Sequence, residues 1–201
     1  MKSLCPDFTM PITTDRLIIR PVQSGDGAIF NEAMLESFSE LHQFMDWAKE
    51  KPSLAESEEI AMLAAENWVS KKNDEPYLQL MILDKVTQQF VGATGYHHYN
   101  WDIPSVETGY WIRTSQSGKG LMTEAINAIT QYAFKQLKVK RITITCDPDN
   151  IKSKNIPERL GYTLEGRLKH NRIKSGNGGI GDTLIYAKYD LTDLPSLNVS
   201  W

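Results

Sequence analysis

Cysteine is scarce in this chain: there are two, Cys5 and Cys146. They lie far apart, and neither has a second cysteine or a histidine at metal-ligand spacing, so zinc is not expected and no disulfide is implied. Long apolar runs are missing as well; none approaches the roughly 20 residues of a membrane-spanning helix. The opening MKSLCPDFTMPITTDRL places acids and proline where a secretory signal needs an unbroken apolar stretch. These absences predict a cytoplasmic protein with no metal and no membrane partner. An excess of one charge is also lacking, since 22 Lys and Arg stand against 25 Asp and Glu, a formal net charge of −3. A nucleic-acid partner calls for a basic stripe, and none is present. Mild acidity suits a cationic amine substrate and serves solubility equally well. Repeats, linkers and low-complexity tracts are absent too. The 201 residues therefore read as one domain, with its core from about residue 12 to about residue 190 and short tails at both ends. A homodimer is compatible with this reading.

What is present is ordinary globular composition, 41% hydrophobic and 23% charged. The alternating run Arg16-Leu17-Ile18-Ile19-Arg20 behind Thr14-Asp15 predicts an opening strand ended by Pro21. From Gly27 to about Lys49, apolar residues from Ile29 and Ala33 to Leu41 and Phe44 recur at helical spacing, which predicts one helix. Pro52-Ser53 breaks it. A second helix follows from Ser53 to Ser70 with Ile60, Leu63, Ala64 and Trp68 as its apolar stripe. The period then changes to two. Tyr77 to Leu83 and Phe90 to Tyr96 predict antiparallel strands, and Val106 to Ile112 a further one after a loop around Asn100 to Pro104. Ser117 to Gly120 leads into a helix with Met122, Ala125, Ile126, Ile129 and Ala133 on one face, and Arg141 to Cys146 alternates as a strand. A shorter helix is expected near Ile151 to Leu160, stopped by Gly161. Pro157 fits only a first turn without losing a hydrogen bond, which places the regular start near Ser153 or Lys154. Two closing strands, Tyr162 to Leu168 and Thr183 to Tyr189, flank a glycine-rich hairpin, Lys174 to Asp182. This order predicts an α+β (mixed α/β) fold, one central sheet covered by helices.

The most informative stretch is Gln116-Ser117-Gly118-Lys119-Gly120-Leu121-Met122-Thr123-Glu124-Ala125, between a strand and a helix. Two glycines one residue apart let the backbone approach a ligand in torsions barred to other residues. The helix start behind them offers free N–H groups and partial positive charge, an anion site suited to a pyrophosphate, with Lys119 as a point charge at its edge. The P-loop pattern fails because Lys119 precedes Gly120 and lacks its upstream glycine; the dinucleotide fingerprint fails because Thr123 stands where a third glycine belongs. A plain glycine turn before a helix is the bland alternative.

The same stretch resembles the [Q/R]-x-x-G-x-[G/A] loop of the GNAT acetyltransferase superfamily, with Ser115 in place of the usual Gln or Arg. Thr14-Asp15-Arg16-Leu17-Ile18-Ile19-Arg20-Pro21, Glu107-Thr-Gly109-Tyr110-Trp111-Ile112, and Asn150-Ile-Lys-Ser153 followed by Leu160-Gly161-Tyr162 and Glu165-Gly166 are similar, in order, to segments of its RimJ/RimL-like branch. The resemblance runs from about Thr14 to Tyr189. It implies a mostly antiparallel twisted sheet splayed between its fourth and fifth strands. It also implies acetyl-CoA as co-substrate, held by backbone groups of Trp111, Ile112 and Arg113, by the N–H groups from Gln116 to Thr123, and by Asn150 and Ser153.

On that reading Glu107 is the base that takes the amine proton, directly or through water. Ser153 donates to the departing sulfur and Tyr110 is an alternative acid. Each has a plainer reading: a solvent-facing strand glutamate, a helix-capping serine, and for Asn150 a turn residue. Gly109 is expected to mark a bulge. His97 and His98, adjacent on a strand, are expected on opposite faces, so that at most one meets a cleft. Cys146 reads as buried and structural, and Trp47, Trp68 and Trp101 as packing residues. The implied activity is direct transfer of acetyl to a primary amine, a protein N-terminus of the ribosomal type foremost. Aminoglycosides, polyamines, or a non-catalytic acetyl-CoA sensor remain as alternatives.

Overall fold

The computed structural model describes residues 8–70, 77–176 and 178–201; Cys5 lies outside them. The elements in chain order are β1 (Ile12–Thr13), β2 (Leu17–Pro21), α1 (Gly27–Glu36), α2 (Phe38–Phe44), α3 (Leu54–Ser70), β3 (Tyr77–Asp84), β4 (Phe90–Asn100), β5 (Ser105–Ile112), α4 (Leu121–Lys135), β6 (Arg141–Cys146), α5 (Ile151–Arg159), β7 (Thr163–Ile173) and β8 (Ile180–Lys188). The strands form one mixed sheet in the order β1-β2-β3-β4-β5-β6-β8-β7. Neighbours are antiparallel except β5 and β6, which run parallel.

That parallel pair is short. Ser105, Val106 and Glu107 pair with Arg141, Ile142 and Thr143, and there the pairing stops, although β5 continues to Ile112 and β6 to Cys146. Beyond Glu107 the two strands separate. β6 keeps its ladder to β8 as far as Cys146 and β5 keeps its ladder to β4, so each strand is secured on its far side while the near edges face one another unpaired.

Helices cover both faces. On one, α4 buries Leu121, Met122, Ala125, Ile126, Ile129, Tyr132 and Ala133 against Leu78, Leu80, Val106 and Ile142. On the other, α1 and α3 close over Met81, Leu83, Phe90, Ala93 and Trp111. The closing chain packs back on the first face: Ser200 exchanges two backbone hydrogen bonds with Thr13, Asn127 and Gln131 bond the carbonyls of Pro195 and Leu197, and the Trp201 ring meets Tyr132 edge-on.

Several expectations are corrected. The expected helix over 27–49 is two helices, broken at Ser37. That residue is buried and its hydroxyl accepts the N–H of Thr114 (3.0 Å), tying the helix break to the turn after β5. The stripe of α3 is rotated: Ser57, Ala61, Ala64 and Trp68 are buried while Ile60 and Leu63 face solvent. Small residues win because α1 and α3 touch closely; a Cβ on Gly27 would lie 2.5 Å from the Cα of Glu58. The start of α3 is a capping box, with Glu56 N–H on Ser53 Oγ and Ser53 N–H on Glu56 Oε2. The closing strands are longer than expected and their hairpin is correspondingly shorter, residues 174–179.

The helix α5 also starts earlier than Pro157 suggested, at Ile151, because Asn150 caps it by accepting the Ser153 N–H (3.0 Å). Pro157 sits inside and cannot bond the carbonyl of Ser153, four residues back. The Tyr110 hydroxyl takes that carbonyl instead, at 2.9 Å. The tertiary contact fills the vacancy that made the local rule forbid the helix.

Candidate active site

A cleft of about 550 Å³ opens where β5 and β6 part. Its walls are the end of β5 (Tyr110, Trp111, Ile112), the loop and first turn of α4 (Ser117 to Thr123 except Lys119), the start of α5 (Asn150 to Ser153), and α2 around Leu41 and Phe44. Local chemistry explains the loop. Gly118 and Gly120 hold φ of +79° and +76°, the left-handed region that only glycine enters cheaply, and a Cβ on Gly118 would touch nothing within 4 Å. No side chain caps α4, and its first intrahelical bond is Glu124 N–H to Gly120 O. The amides of Leu121, Met122 and Thr123 therefore end at the cleft without an intrahelical partner. An oxyanion or pyrophosphate fits such a cradle by charge and by backbone access.

Of the other loop residues, Lys119 and Gln116 lie outside the lining and bond each other, Nζ to Oε1 at 2.9 Å. Arg113 corrects an expectation. Its N–H donates to Val91 O (2.9 Å), toward β4, and its guanidinium pairs with Glu32 and Glu36 of α1. Strand alternation gives Trp111 the same backbone direction, so Ile112 is the member of the expected trio whose amide and carbonyl face the open edge. Trp111 contributes its ring, packed on Phe30 and Phe90.

On the α5 wall, the Asn150 carbonyl oxygen is engaged as the helix cap, which leaves its Nδ2 for the cleft. Ser153 is thus inside the helix rather than its cap. Its hydroxyl donates only a long 3.4 Å bond to the Tyr110 oxygen, whereas the Tyr110 proton is committed to the Ser153 carbonyl. Burial pushes the Tyr110 phenol well above its ordinary range, so it stays protonated. Between the two, Ser153 has the freer proton.

Glu107 occupies the last shared pair of β5 and β6, at the inner end of the split and outside the lining residues. Its side chain is 20% exposed; Oε1 accepts from Thr145 Oγ1 (2.8 Å) and Oε2 faces His98 Nδ1 (3.2 Å). The expected bulge is not at Gly109, which pairs in register with Gly95. It lies in β4 between His97 and Asn100, where His98 takes φ +47°. That irregularity overturns strict alternation, and both histidine rings turn to the same side, Nδ1 to Nδ1 at 3.3 Å. His97 also lies over Gly109, with Nε2 3.6 Å from where a Cβ would be. Burial pushes its imidazole below the ordinary range, leaving it neutral at neutral pH.

Sequence reasoning missed the brace behind the glycine loop. Glu124, in the first turn of α4, is nearly buried and would repel an anion. It is matched by Arg16, whose Nε donates to it at 2.6 Å while NH1 holds the Lys119 carbonyl at 3.1 Å; Thr14 Oγ1 adds a third bond. The Thr14-Asp15-Arg16 run was visible as a motif, but its partner lies 108 residues away. Cys146 is buried, its thiol pushed up to about 11 by that burial first and by Asp147 second, which leaves it a poor nucleophile. Trp68 is core, its indole donating to Gln79 O; Trp47 is exposed, and Trp101 stacks on Tyr99.

Comparison with known proteins adds to this geometry. The family "Acetyltransferase (GNAT) domain" matches residues 16–163. A putative ribosomal N-acetyltransferase, YdaF of Bacillus subtilis, is 25% identical over 169 residues, covering 84% of this chain and 89% of its own. The ribosomal-protein-serine acetyltransferase of Escherichia coli is 25% identical over 148 residues, 74% of this chain and 78% of its own. Among solved structures, a RimL ribosomal alpha-N-protein acetyltransferase in complex with coenzyme A superposes with a TM-score of 0.79 at 20% identity, over 90% of this chain and 97% of that one. The self-immunity acetyltransferase MccE, in complex with acetyl-CoA and AMP, gives 0.77 at 25% identity, over 88% and 93%.

Proposed function

The chain belongs to the GNAT acetyltransferase family, and we propose that it carries acetyl from acetyl-CoA directly to a primary amine, the N-terminal amine of a protein of the ribosomal type. The acceptor class is supported by relatives whose names specify ribosomal proteins. The observation that carries the cofactor assignment is the uncapped start of α4 behind two left-handed glycines, set at the unpaired edge of β5. In this reading Leu121, Met122 and Thr123 hold the pyrophosphate by their amides, with Gly118 and Gly120 giving access. Ile112 pairs with the pantetheine arm as an added strand would, and Asn150 Nδ2 supports it from the opposite wall.

Chemistry is divided between the faces of the sheet. Glu107, Gly109 and Trp111 alternate on the α1–α3 face, while Val106, Thr108 and Tyr110 lie on the α4 face. The amine enters on the first side and loses its proton to Glu107, oriented by Thr145. Its nitrogen attacks the thioester carbonyl carbon, the C–N bond forms and the C–S bond breaks. Ser153 hydrogen-bonds the sulfur as it leaves with the electron pair, and the second proton shed by the nitrogen ends on that sulfur as the free thiol. Tyr110 braces Ser153 rather than acting as the acid. Positioning supplies most of the rate, and Glu107 adds base catalysis.

Two measurements test this. Isothermal titration should show acetyl-CoA binding that falls at least about tenfold, roughly 1.4 kcal/mol, in Gly120→Val, because a β-branched residue cannot hold the left-handed φ cheaply. Equal affinity in a variant with native circular dichroism removes the loop assignment. A panel of N-terminal peptides and small amines, read by thiol release, should turn over the peptides fastest; binding without turnover of any amine points to a sensor.

A further inference from the structure

The cluster at the inner end of the split has a second chemistry. One ligand atom from each of His97, His98 and Glu107 lies within 4.8 Å of the other two, the group among the described residues that could hold a metal ion. Two of the separations are 3.3 Å and 3.2 Å. Ligand atoms at 2.0–2.2 Å from a tetrahedral ion sit about 3.3–3.5 Å apart, so these are edges of such a polyhedron to within about 0.2 Å. The third edge, between His97 and Glu107, closes by a turn of the His97 ring or of the Glu107 carboxylate, and His98, whose side chain is 70% exposed, adjusts to it. We propose that His97, His98 and Glu107 bind a divalent ion of the zinc class.

Three features of the fold build this site. The bulge with His98 at positive φ exists at the one place where it turns both adjacent imidazoles to the same side, which regular alternation forbids. Thr145 holds Glu107 through Oε1 and leaves Oε2 for the cluster, the outer-shell orientation that metal-binding carboxylates use. Protons satisfy the arrangement poorly, because His98 Nδ1 faces a carboxylate oxygen and a second imidazole nitrogen at once, and a single N–H there must serve both. A cation accepts a lone pair from all three. The exposed side of His98 gives the ion its entry path and leaves a fourth position to water. Two imidazoles with one carboxylate favour zinc-like ions over magnesium or calcium, which take oxygen shells.

One consequence rests on the reading of Glu107 as base: an occupied site ties up the oxygen that must accept the amine proton, so the ion brakes acetyl transfer. The test uses the full chain, free of any affinity tag and stripped with chelator, titrated calorimetrically with zinc chloride. Saturable binding of one ion per chain is expected. It should weaken at least about tenfold in His98→Ala and in His97→Ala, each checked by circular dichroism, and stay unchanged in His170→Ala. Cobalt(II) should give the visible bands of a tetrahedral site. No saturable binding, or binding equal in native and His98→Ala, overturns the proposal. Zinc should also inhibit turnover at the concentration where it binds. Binding without inhibition keeps the metal site and removes Glu107 from the reaction, so the two readings fail separately.

Discussion

The halves of the sheet on either side of the β5–β6 split share an apolar core and differ in how far it reaches toward the outer strand. In the half from β2 to β5 the strands are covered on both faces, and β3 runs almost wholly buried from Leu80 to Leu83. In the half from β6 to β7 the outer strand is mostly exposed along its length. Ile142, Ile144, Leu184 and Tyr186 of β6 and β8 still lie in the core, and the outer strand with its hairpin is tied on by charge: Arg141 with Glu165, Arg172 with Asp147, Arg167 with Asp182 and Lys174 with Asp149. The glycine-bearing hairpin extends this second half across to α2 and the turn behind it, where Gly176 rests on the His42 carbonyl and Ser175 Oγ bonds Asp46. The start of α4 packs on the first half, and α5 packs on β6 of the second. The two walls of the cleft thus come from opposite sides of the split.

The largest effect should come from the residue shared by both halves. Glu107→Gln preserves shape and removes basicity, so kcat/KM should fall about 10²–10⁴-fold with acetyl-CoA affinity nearly unchanged. Part of the deficit should return at high pH, where the amine is already neutral. Native rates in the variant from roughly pH 6 to roughly pH 9 would take the carboxylate out of the reaction.

A paired truncation sharpens the contrast between the halves. Ile82→Ala, in a fully buried position of β3, should cost about 2–5 kcal/mol in urea denaturation. Leu168→Ala on β7, 47% exposed, should stay within about 0.5 kcal/mol. Similar costs at both sites would erase the distinction drawn here.

The smallest effect is electrostatic. Hydrogen bonds from Arg141, then from Tyr189, hold the Glu165 carboxyl down at about 2, below its ordinary 4.5. A depressed folded value means the contribution is complete above about 4.5 and drains away as pH falls toward about 2. Melting temperature followed over that window should drop in the native chain. Arg141→Met should lower it at neutral pH and flatten this acid-side slope; an unchanged slope would show that the pair does not stabilise the outer half.

The amphipathic face of α4, the alternating strands and the glycine loop were legible from sequence because each depends on local period or on one residue's torsional freedom. The misreadings share a cause. Ile60 and Leu63 are as apolar as a core stripe requires, but the close α1–α3 contact at Gly27 admits only Ser57, Ala61 and Ala64 there. Pro157 looked incompatible with a helix from Ile151 because a proline rule counts only bonds within the helix, and Tyr110 supplies one from a strand. His97 and His98 were separated by strand alternation, which a bulge invisible in composition cancels.

The sequence by itself determined which segments become helix or strand, that the chain forms an α+β fold, and where a glycine loop opens onto a helix start, since these follow from hydrophobic period and glycine torsions acting over a few residues. Tertiary structure alone decided that β5 and β6 part after Glu107, that Arg16 braces the loop from 108 residues away, and that two histidines and a glutamate converge at the split. Those outcomes depend on which groups satisfy one another across the sheet, and such pairings are set only once the strands have taken their places.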